Sequence, residues 1–453
     1  MPDESAVALE DRPLRVAVIG AGPSGFFACQ AWLQSGRDVR IDLFDRLPTP
    51  YGLIRGGVAP DHQKIKAVTR ALERIAASGK VRFFGHVTLG EDVPIEDFLA
   101  AYDQVLLTTG AEEARRLGIP GEHLMGVHTA TAFVGWYNGH PDHQGHHFDL
   151  SGDTAVVVGM GNVAVDVARV LLRDRDTLQA SDLAGPALEQ LRRSHIHRVL
   201  MLGRRGPMQA SFTPAELKEL IDLDGLDVVV DPAQVELSEE ELAGASKRVS
   251  RNVALLQEVA GERCSSGRCV QLRFWMSPVA FEGATRLESV TLGANRPERR
   301  GDRIVAVDTG ERTEVKAQLL LEAVGYRSRP IPGVPFCERK GRIHHIDGRV
   351  AALDGTVIPR LYVAGWAKRG PQGVIGTNRA DAKATVERMI EDLPTLPDVP
   401  RAGLSPAMAT TWEEWKALDD HEVAAGQARG RVREKVLSVE AMIRRLREAD
   451  DEG

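Results

Sequence analysis

Cysteine is scarce: the 453 residues hold four, Cys29, Cys264, Cys269 and Cys337. Four scattered thiols cannot build a disulfide framework, and they suit a reducing compartment. A basic excess is also missing, because 57 Lys and Arg face 64 Asp and Glu for a formal charge of −7, with no long basic block. That excludes the electrostatic footprint of a nucleic-acid binder. No long hydrophobic run exists either. The most apolar stretch, residues 14–33, is broken by Gly20, Gly22, Pro23, Ser24 and Gly25, which suits a tight turn and not a membrane span. The opening MPDESAVALEDRP carries acids and no basic segment ahead of an apolar core, so no secretory or transit signal is read and a cytoplasmic location is expected. Low-complexity tracts are absent. What remains, 43% hydrophobic and 27% charged residues, is the mix of a folded globular protein, long enough for about three domain-sized units or two larger ones.

Residues 15–19 form a largely apolar strand that runs into Gly20-Ala21-Gly22-Pro23-Ser24-Gly25 and then a helical run to about Gln34. The next alternating strand, Val39 to Phe44, ends in Asp45, twenty residues after Gly25. Strand, glycine turn, helix, strand and terminal acid make a dinucleotide-binding βαβ unit. Gly20 permits the sharp turn, Gly22 lets a pyrophosphate approach the backbone, Gly25 allows close helix packing, and the helix N-terminus offers free N–H groups. Asp45 is placed to accept ribose hydroxyls. The same chain with no ligand would be a bare strand-to-helix turn.

The pattern restarts at Thr154 to Val158, with Gly159-x-Gly161-x-x-Ala164 as a second turn, Asn162 inside it and a helix from Val165 to Leu172. Here no acid ends the following strand, Ile196 to Leu202; Arg204 and Arg205 stand there instead. Guanidinium groups suit a 2′-phosphate, which a carboxylate repels, so the second unit is expected to take NADP and not NAD. A solvated Arg-Arg turn is the plain alternative. Two dinucleotide sites in one chain imply a donor and a bound acceptor, for which a flavin is the usual relay.

Elsewhere a helix is expected from about Asp61 to Ala77, with Ile65, Val68, Leu72 and Ile75 on one face, followed by short strands near 81–84 and 87–89 and another at 104–108. Strands near 270–276, 287–292 and 304–307 look antiparallel, 319–324 returns into Gly325, and 361–363 meets glycines ahead of a helix over 376–392. The charged tail from about Met408 reads as helical and packed on the outside of a domain. Cys264 and Cys269 read as an exposed pair in a loop.

The segments VAVIGAGPSGFFA (16–28), LPTPYGLIRGGVAPDHQKIK (47–66), VVVGMGNVAVDVAR (156–169), GRRGPMQASFTPAEL (203–217) and LYVAGWAKRGPQGVIGTN (361–378) together resemble the adrenodoxin reductase type of ferredoxin–NADP reductase, within the flavoproteins related to glutathione reductase. The resemblance implies an α/β fold of two Rossmann-like three-layer dinucleotide-binding domains. The FAD domain would be discontinuous, residues 1–111 and 326–453, with an NADP domain inserted at 112–325. It implies electron transfer from NADPH through FAD to a ferredoxin or adrenodoxin-like iron–sulfur protein. Gly20, Gly22, Pro23, Ser24, Gly25, Asp45, Leu53, Gly110, Gly161, Asn162, Val163, Arg204, Arg205, Glu216, Trp366, Gly373, Val374 and Ile375 would hold the cofactors. Of these, Asn162, Glu216 and the arginines would contact NADP, while Trp366 and Gly373 would lie beside the flavin ring. No metal is expected. Asp45 departs from the usual Glu, and Tyr51 stands where relatives often carry Trp.

Such chemistry needs ring stacking rather than a nucleophile. The helix near Gly373 to Thr377 could aim its N-terminal N–H groups at a developing negative charge. His62, Asp166 and Glu216 are the candidate catalytic groups. The plain alternatives are that Asp61 caps a helix beside His62, that Glu216 is a first-turn acid, that Trp366 is core and that Asp166 is structural. Lys247, Arg248 and Arg251 lie three or four apart on a helix, a basic face where an acidic ferredoxin could dock. A disulfide reductase is disfavoured because Cys264 and Cys269 lie far from both glycine turns. A flavin monooxygenase is disfavoured because the Phe133-Val134-Gly135 element meets its histidine one position late. Two further readings stay open: a subunit like the small subunit of glutamate synthase, though without its cysteine clusters, and a non-enzymatic flavin/NADP redox sensor.

Overall fold

The computed structural model describes residues 12–301, 303–397 and 399–451. Residues 1–11, which carry most of the opening segment read for a leader, lie outside the described residues.

The apolar runs become parallel strands. The sequence Leu-Arg-Val-Ala-Val-Ile at Leu14–Ile19 is buried at every position but Arg15 and pairs in parallel with Val39–Phe44 on one side and Gln104–Leu107 on the other. A strand with neighbours on both edges and helices on both faces needs apolar side chains throughout, which is why alternation is lost here. The seven-stranded sheet runs in the order His345–Ile346, Arg349–Ala351, Val357–Val363, Gln104–Leu107, Leu14–Ile19, Val39–Phe44, Val81–Phe84. It therefore takes strands from both parts of the chain that flank the second unit. The six-stranded sheet, Val127–Thr129, Leu319–Glu322, Thr154–Val158, Arg198–Gly203, Cys269–Phe274, Asp227–Val230, is built wholly from residues between them. A three-stranded antiparallel sheet, Met276–Glu282, Ser289–Arg300 and Arg303–Lys316, packs on one face of it through Phe281, Leu287, Val290 and Leu292.

Several expectations need correction. Cys269–Phe274 is parallel to both of its neighbours; side-chain alternation reports exposure and carries no strand direction. The helix expected over 61–77 is two, Gln63–Lys66 and Thr69–Ala76, because the chain turns at Ala67. Leu72 and Ile75 face the core while Ile65 stays 40% exposed. No strand forms over 87–89; Leu89 makes only an isolated bridge to Val93. Cys264 and Cys269 are joined in a disulfide, and Cys269 is buried on its strand, not exposed in a loop.

The tail packs on the first lobe through one face of its helix and leaves the other face exposed. Its helix Trp412–Gln427 buries Trp415 and Leu418 against Tyr51, whose ring also meets Phe26. From it, Glu422 receives both Arg55 guanidinium nitrogens at 2.6 and 2.8 Å. Farther on, Lys435 Nζ reaches Asp182 at 3.1 Å, and Lys66 Nζ meets the same carboxylate at 2.8 Å. The tail thus ties the first lobe to the second with charges removed from water.

Candidate active site

Between the lobes lies a cavity of about 680 Å³, within the range of cofactor sites. Gly20, Gly22, Pro23, Ser24, Asp45, Leu53 and Gly110 line it from one side, Trp366, Gly373, Val374 and Ile375 from another, and Asn162, Val163, Asp166 and Glu216 from the second lobe, with His62 among them. Gly25, Gly161, Arg204 and Arg205 do not line it. Gly161 caps the second turn's helix, and both arginines are exposed just beyond the strand Arg198–Gly203. Their backbone is fixed, since Arg204 O accepts from Asn295 at 3.1 Å and Arg205 O from Trp275 N at 3.2 Å. Among the described residues neither guanidinium has an acid within 4.0 Å.

The first glycine turn is a backbone cradle. Gly20 has φ +109°, and a Cβ there would lie 2.5 Å from Thr108 O. A Cβ on Gly25 would overlap Gly20 O, so strand and helix approach only because both are glycine. At Gly22 a Cβ would meet nothing within 4 Å, leaving space for a ligand instead of protein. No side chain caps the helices starting at Pro23 and Asn162, while at the helix starting at Ile375 the Thr377 hydroxyl accepts Val374 N–H at 3.2 Å; all three begin at the cavity wall. Uncapped N–H groups and the positive end of a helix are what a pyrophosphate or a reduced flavin requires. Two buried polar atoms on the wall, Glu216 Oε2 and Trp366 Nε1, also lack a hydrogen-bond partner. Cradle, orphaned donors and volume together fit a flavin dinucleotide and a nicotinamide dinucleotide meeting here.

Asp45 accepts Ala21 N–H at 2.8 Å and Leu47 N–H at 3.0 Å, pinning the turn to the end of its strand. Burial pushes its carboxyl up to about 6 against these two bonds. Asn162 accepts Thr213 N–H at 2.8 Å and so couples the second turn to the start of the helix Pro214–Ile221 that carries Glu216.

His62 sits where the lobes touch. Its Nε2 is 3.1 Å from Glu219 and 3.8 Å from Glu216, and its Nδ1 is 3.9 Å from Asp166. The alternative of an Asp61 cap does not hold, because the Asp61 carboxylate instead receives Arg169 and, at 3.0 Å, Arg173 from the other lobe. Arg169 also binds Asp166. Burial raises the carboxyls of Asp166 and Glu216 above the ordinary range. Glu219, Arg169 and Arg173 were not singled out from the sequence. Their signal was helical spacing, since Glu219 follows Glu216, and Arg169 follows Asp166, by three residues. His62, Glu216 and Glu219 also bring three ligand atoms within 4.8 Å of one another. Arg169 and Arg173, 3.6 and 3.9 Å from Glu219, already supply cationic charge there.

Among curated proteins, NADPH-ferredoxin reductase FprA of Mycobacterium tuberculosis is 42% identical over 457 residues, covering 96% of this chain and 99% of that protein. The chain belongs to that family of reductases. This reductase is also 38% identical over 461 residues to the mitochondrial NADPH:adrenodoxin oxidoreductase of Homo sapiens, with 96% and 93% of the two chains covered. The solved structure of M. tuberculosis FprA in complex with NADPH matches it at a TM-score of 0.91 and 42% identity, over 96% of this chain and 99% of that one. A family profile described as pyridine nucleotide-disulphide oxidoreductase covers residues 14–178. The reductase's own disulfide, Cys264–Cys269, lies outside the cavity lining.

Proposed function

We propose that the chain holds FAD in this cavity, takes NADPH on the second lobe and passes electrons to a ferredoxin or adrenodoxin-like iron–sulfur protein. One observation carries the reading: two glycine turns with uncapped helices converge on a single cavity. FAD, when bound, supplies a two-electron acceptor that can return its electrons singly. The chain's residues do the rest. The turn from Gly20 to Ser24 holds one pyrophosphate on backbone N–H groups, and Asn162 and Val163 hold the other. Arg204 and Arg205, fixed by their backbone and open to solvent, grip the 2′-phosphate and select NADPH. Trp366, Gly373, Val374 and Ile375 line the cavity beside the rings, and the helix at Ile375 presents its positive end there. His62, Asp166 and Glu216 hold exchangeable protons at the same place. This assignment divides the chain into an FAD domain, residues 1–111 and 326–453, and an NADP domain, residues 112–325, a division supported by the two large sheets and bridged by the short pair Glu113–Ala114 with Tyr326–Arg327.

The basic helix Lys247–Glu258 is our choice for the acceptor's landing site. Arg248 donates to Ala210 O and Phe212 O at 3.4 and 3.2 Å, so it anchors the helix beside the NADP loop. Lys247 and Arg251 remain to face an acidic ferredoxin. A cytoplasmic location goes with this proposal; no described helix is long and apolar enough to cross a membrane.

Rapid mixing with NADPH tests the central reading. Bleaching of the flavin band faster with NADPH than NADH, followed by ferredoxin-dependent reduction of cytochrome c, is the expected result. A chain that binds flavin yet never bleaches is a sensor and not a reductase.

A further inference from the structure

Arg204 leaves the six-stranded sheet beside Trp275. Gly203 pairs with Phe274 at the ends of two parallel strands, Arg198–Gly203 and Cys269–Phe274, and the next residues along are Arg204 and Trp275. Trp275 is also the single residue between that sheet and the three-stranded one, whose first strand begins at Met276. Its φ is +55°, in the left-handed region. Glycine and asparagine visit that region readily, whereas a bulky aromatic residue stays there only when its surroundings hold it. They do. The indole lies so close to Gly206 that a Cβ on that glycine would stand 2.6 Å from the ring. Gly206 has an ordinary φ of −78°, so glycine is required there for space and not for conformation.

Three consecutive residues of the arginine loop are tied through their backbone. Asn295 Nδ2 donates to Arg204 O at 3.1 Å, Trp275 N–H to Arg205 O at 3.2 Å, and Gly206 N–H to Gln209 Oε1 at 3.2 Å. Asn295 is held in turn, its N–H donating to Trp275 O at 2.7 Å and its Nδ2 to Ser277 Oγ at 2.8 Å. It follows a register shift between Gly293 and Asn295 in the pairing of Ser289–Arg300 with Arg303–Lys316, the kind of irregularity that re-aims a side chain. None of these bonds uses a guanidinium of Arg204 or Arg205.

We propose that Trp275 and Asn295 set the nucleotide preference of this reductase as positioning residues, bracing Arg204 and Arg205 in the arrangement that receives a 2′-phosphate. The inference rests on the reading of that arginine pair given above. A planar guanidinium fork matches phosphate in a fixed orientation, so the direction in which its backbone presents it matters. A loop already ordered loses no binding energy to being ordered when the ligand arrives. Neither Trp275 nor Asn295 has to touch the phosphate to act in this way. The three-stranded sheet contributes no residue to the cavity lining, yet it carries Asn295 on one strand and begins at Trp275. Its task is to stiffen the nucleotide-selecting loop from outside.

Two ligands that differ only in the 2′-phosphate, adenosine 2′,5′-bisphosphate and adenosine 5′-monophosphate, test the brace when titrated into the holoenzyme, alongside steady-state kinetics with NADPH and NADH. Asn295→Ala removes the bond to Arg204 O, and Trp275→Ala keeps the left-handed backbone while losing the ring that holds it. Each is expected to weaken bisphosphate binding about three- to tenfold, the range for one hydrogen bond, and to raise KM for NADPH with little change in kcat. Binding of the monophosphate and KM for NADH should not move. Trp275→Phe, which keeps an aromatic ring against Gly206, should stay close to the wild type. Gly206→Ala should reproduce the loss, because its Cβ meets the indole, and adding Trp275→Gly to it should recover binding, since the ring is gone and glycine takes the left-handed backbone freely. Unchanged bisphosphate binding in both Asn295→Ala and Trp275→Ala overturns the brace. Equal losses for bisphosphate and monophosphate, with a lowered melting temperature, overturn it in favour of a purely structural role. Wild-type bisphosphate binding after Arg204→Ala with Arg205→Ala overturns the reading of the arginine pair itself, and the brace with it.

Discussion

Replacing Asp182 by Asn removes the carboxylate that two buried ammonium groups share. Lys66 Nζ lies 2.8 Å from it and Lys435 Nζ 3.1 Å, with side-chain exposures of 9% and 1% against 4% for Asp182. The surrounding partners are neutral: Asn138 Oδ1 at 3.2 Å from Lys66, and Asn138 O and Arg55 O at 2.8 and 3.2 Å from Lys435. Breaking a buried pair from one side costs about 3–5 kcal/mol, and Asn retains one acceptor, so the loss should fall near 3 kcal/mol. The variant can shed part of that cost as protons. Burial already pulls Lys435 down to about 7 from its ordinary 10.5. In that window the unfolded chain binds more protons than the fold, so this lysine makes wild-type stability rise between about pH 7 and pH 10. Without Asp182 its charge is lost still more readily, so the variant's deficit should be largest near pH 6 and shrink toward pH 9. Urea unfolding followed by the fluorescence of Trp412 and Trp415, which sit on the tail helix, reads the effect directly. A triple change, Asp182→Leu with Lys66→Met and Lys435→Met, should recover much of the loss. A midpoint for Asp182→Asn within error of the wild type at pH 6 would refute the claim that this triad clamps the lobes.

Four further outcomes are expected. Arg204→Ala with Arg205→Ala should raise the KM for NADPH by tenfold or more while leaving NADH unchanged, since each charge-assisted bond contributes about 1.5–3 kcal/mol; steady-state kinetics with both nucleotides check this. Gly25→Val should give a colourless protein, because even a Cβ overlaps Gly20 O; the flavin absorbance reports it. Lys247→Glu with Arg251→Glu should weaken ferredoxin reduction and flatten its salt dependence while dye reduction survives. Burial and a hydrogen bond with Glu122 push Glu322 up to about 8 from its ordinary 4.5. The fold then holds a proton that the unfolded chain releases, so stability should fall as pH rises through that window, and Glu322→Gln should flatten the slope in thermal unfolding.

Much of this was legible in the residues. Both glycine turns, their strands and the arginine pair sit where spacing placed them, because a βαβ unit writes its turn chemistry locally. Strand direction was not legible: Cys269–Phe274 shows the same alternation whether its neighbours run with it or against it. Asp61 looked like a helix cap because local sequence cannot reveal that Arg169 and Arg173, more than a hundred residues on, compete for its carboxylate. The tail reads as an outer helix and packs as one, but the sequence does not show that Glu422 and Lys435 are buried against partners hundreds of residues away. His62 was found through its motif, whereas Glu219 needed the fold to bring it alongside.

The seven-stranded sheet has a consequence for how the protein is made. Gln104–Leu107 emerges from the ribosome early, but its parallel neighbour Val357–Val363 follows some 250 residues later. By then the whole six-stranded sheet has been synthesised and can close on itself. The nascent chain therefore carries a finished second lobe on an unfinished first one, with a bare strand edge waiting for its partner. A ribosome that stalls before residue 357 releases a molecule whose first lobe is primed to pair with the wrong edge.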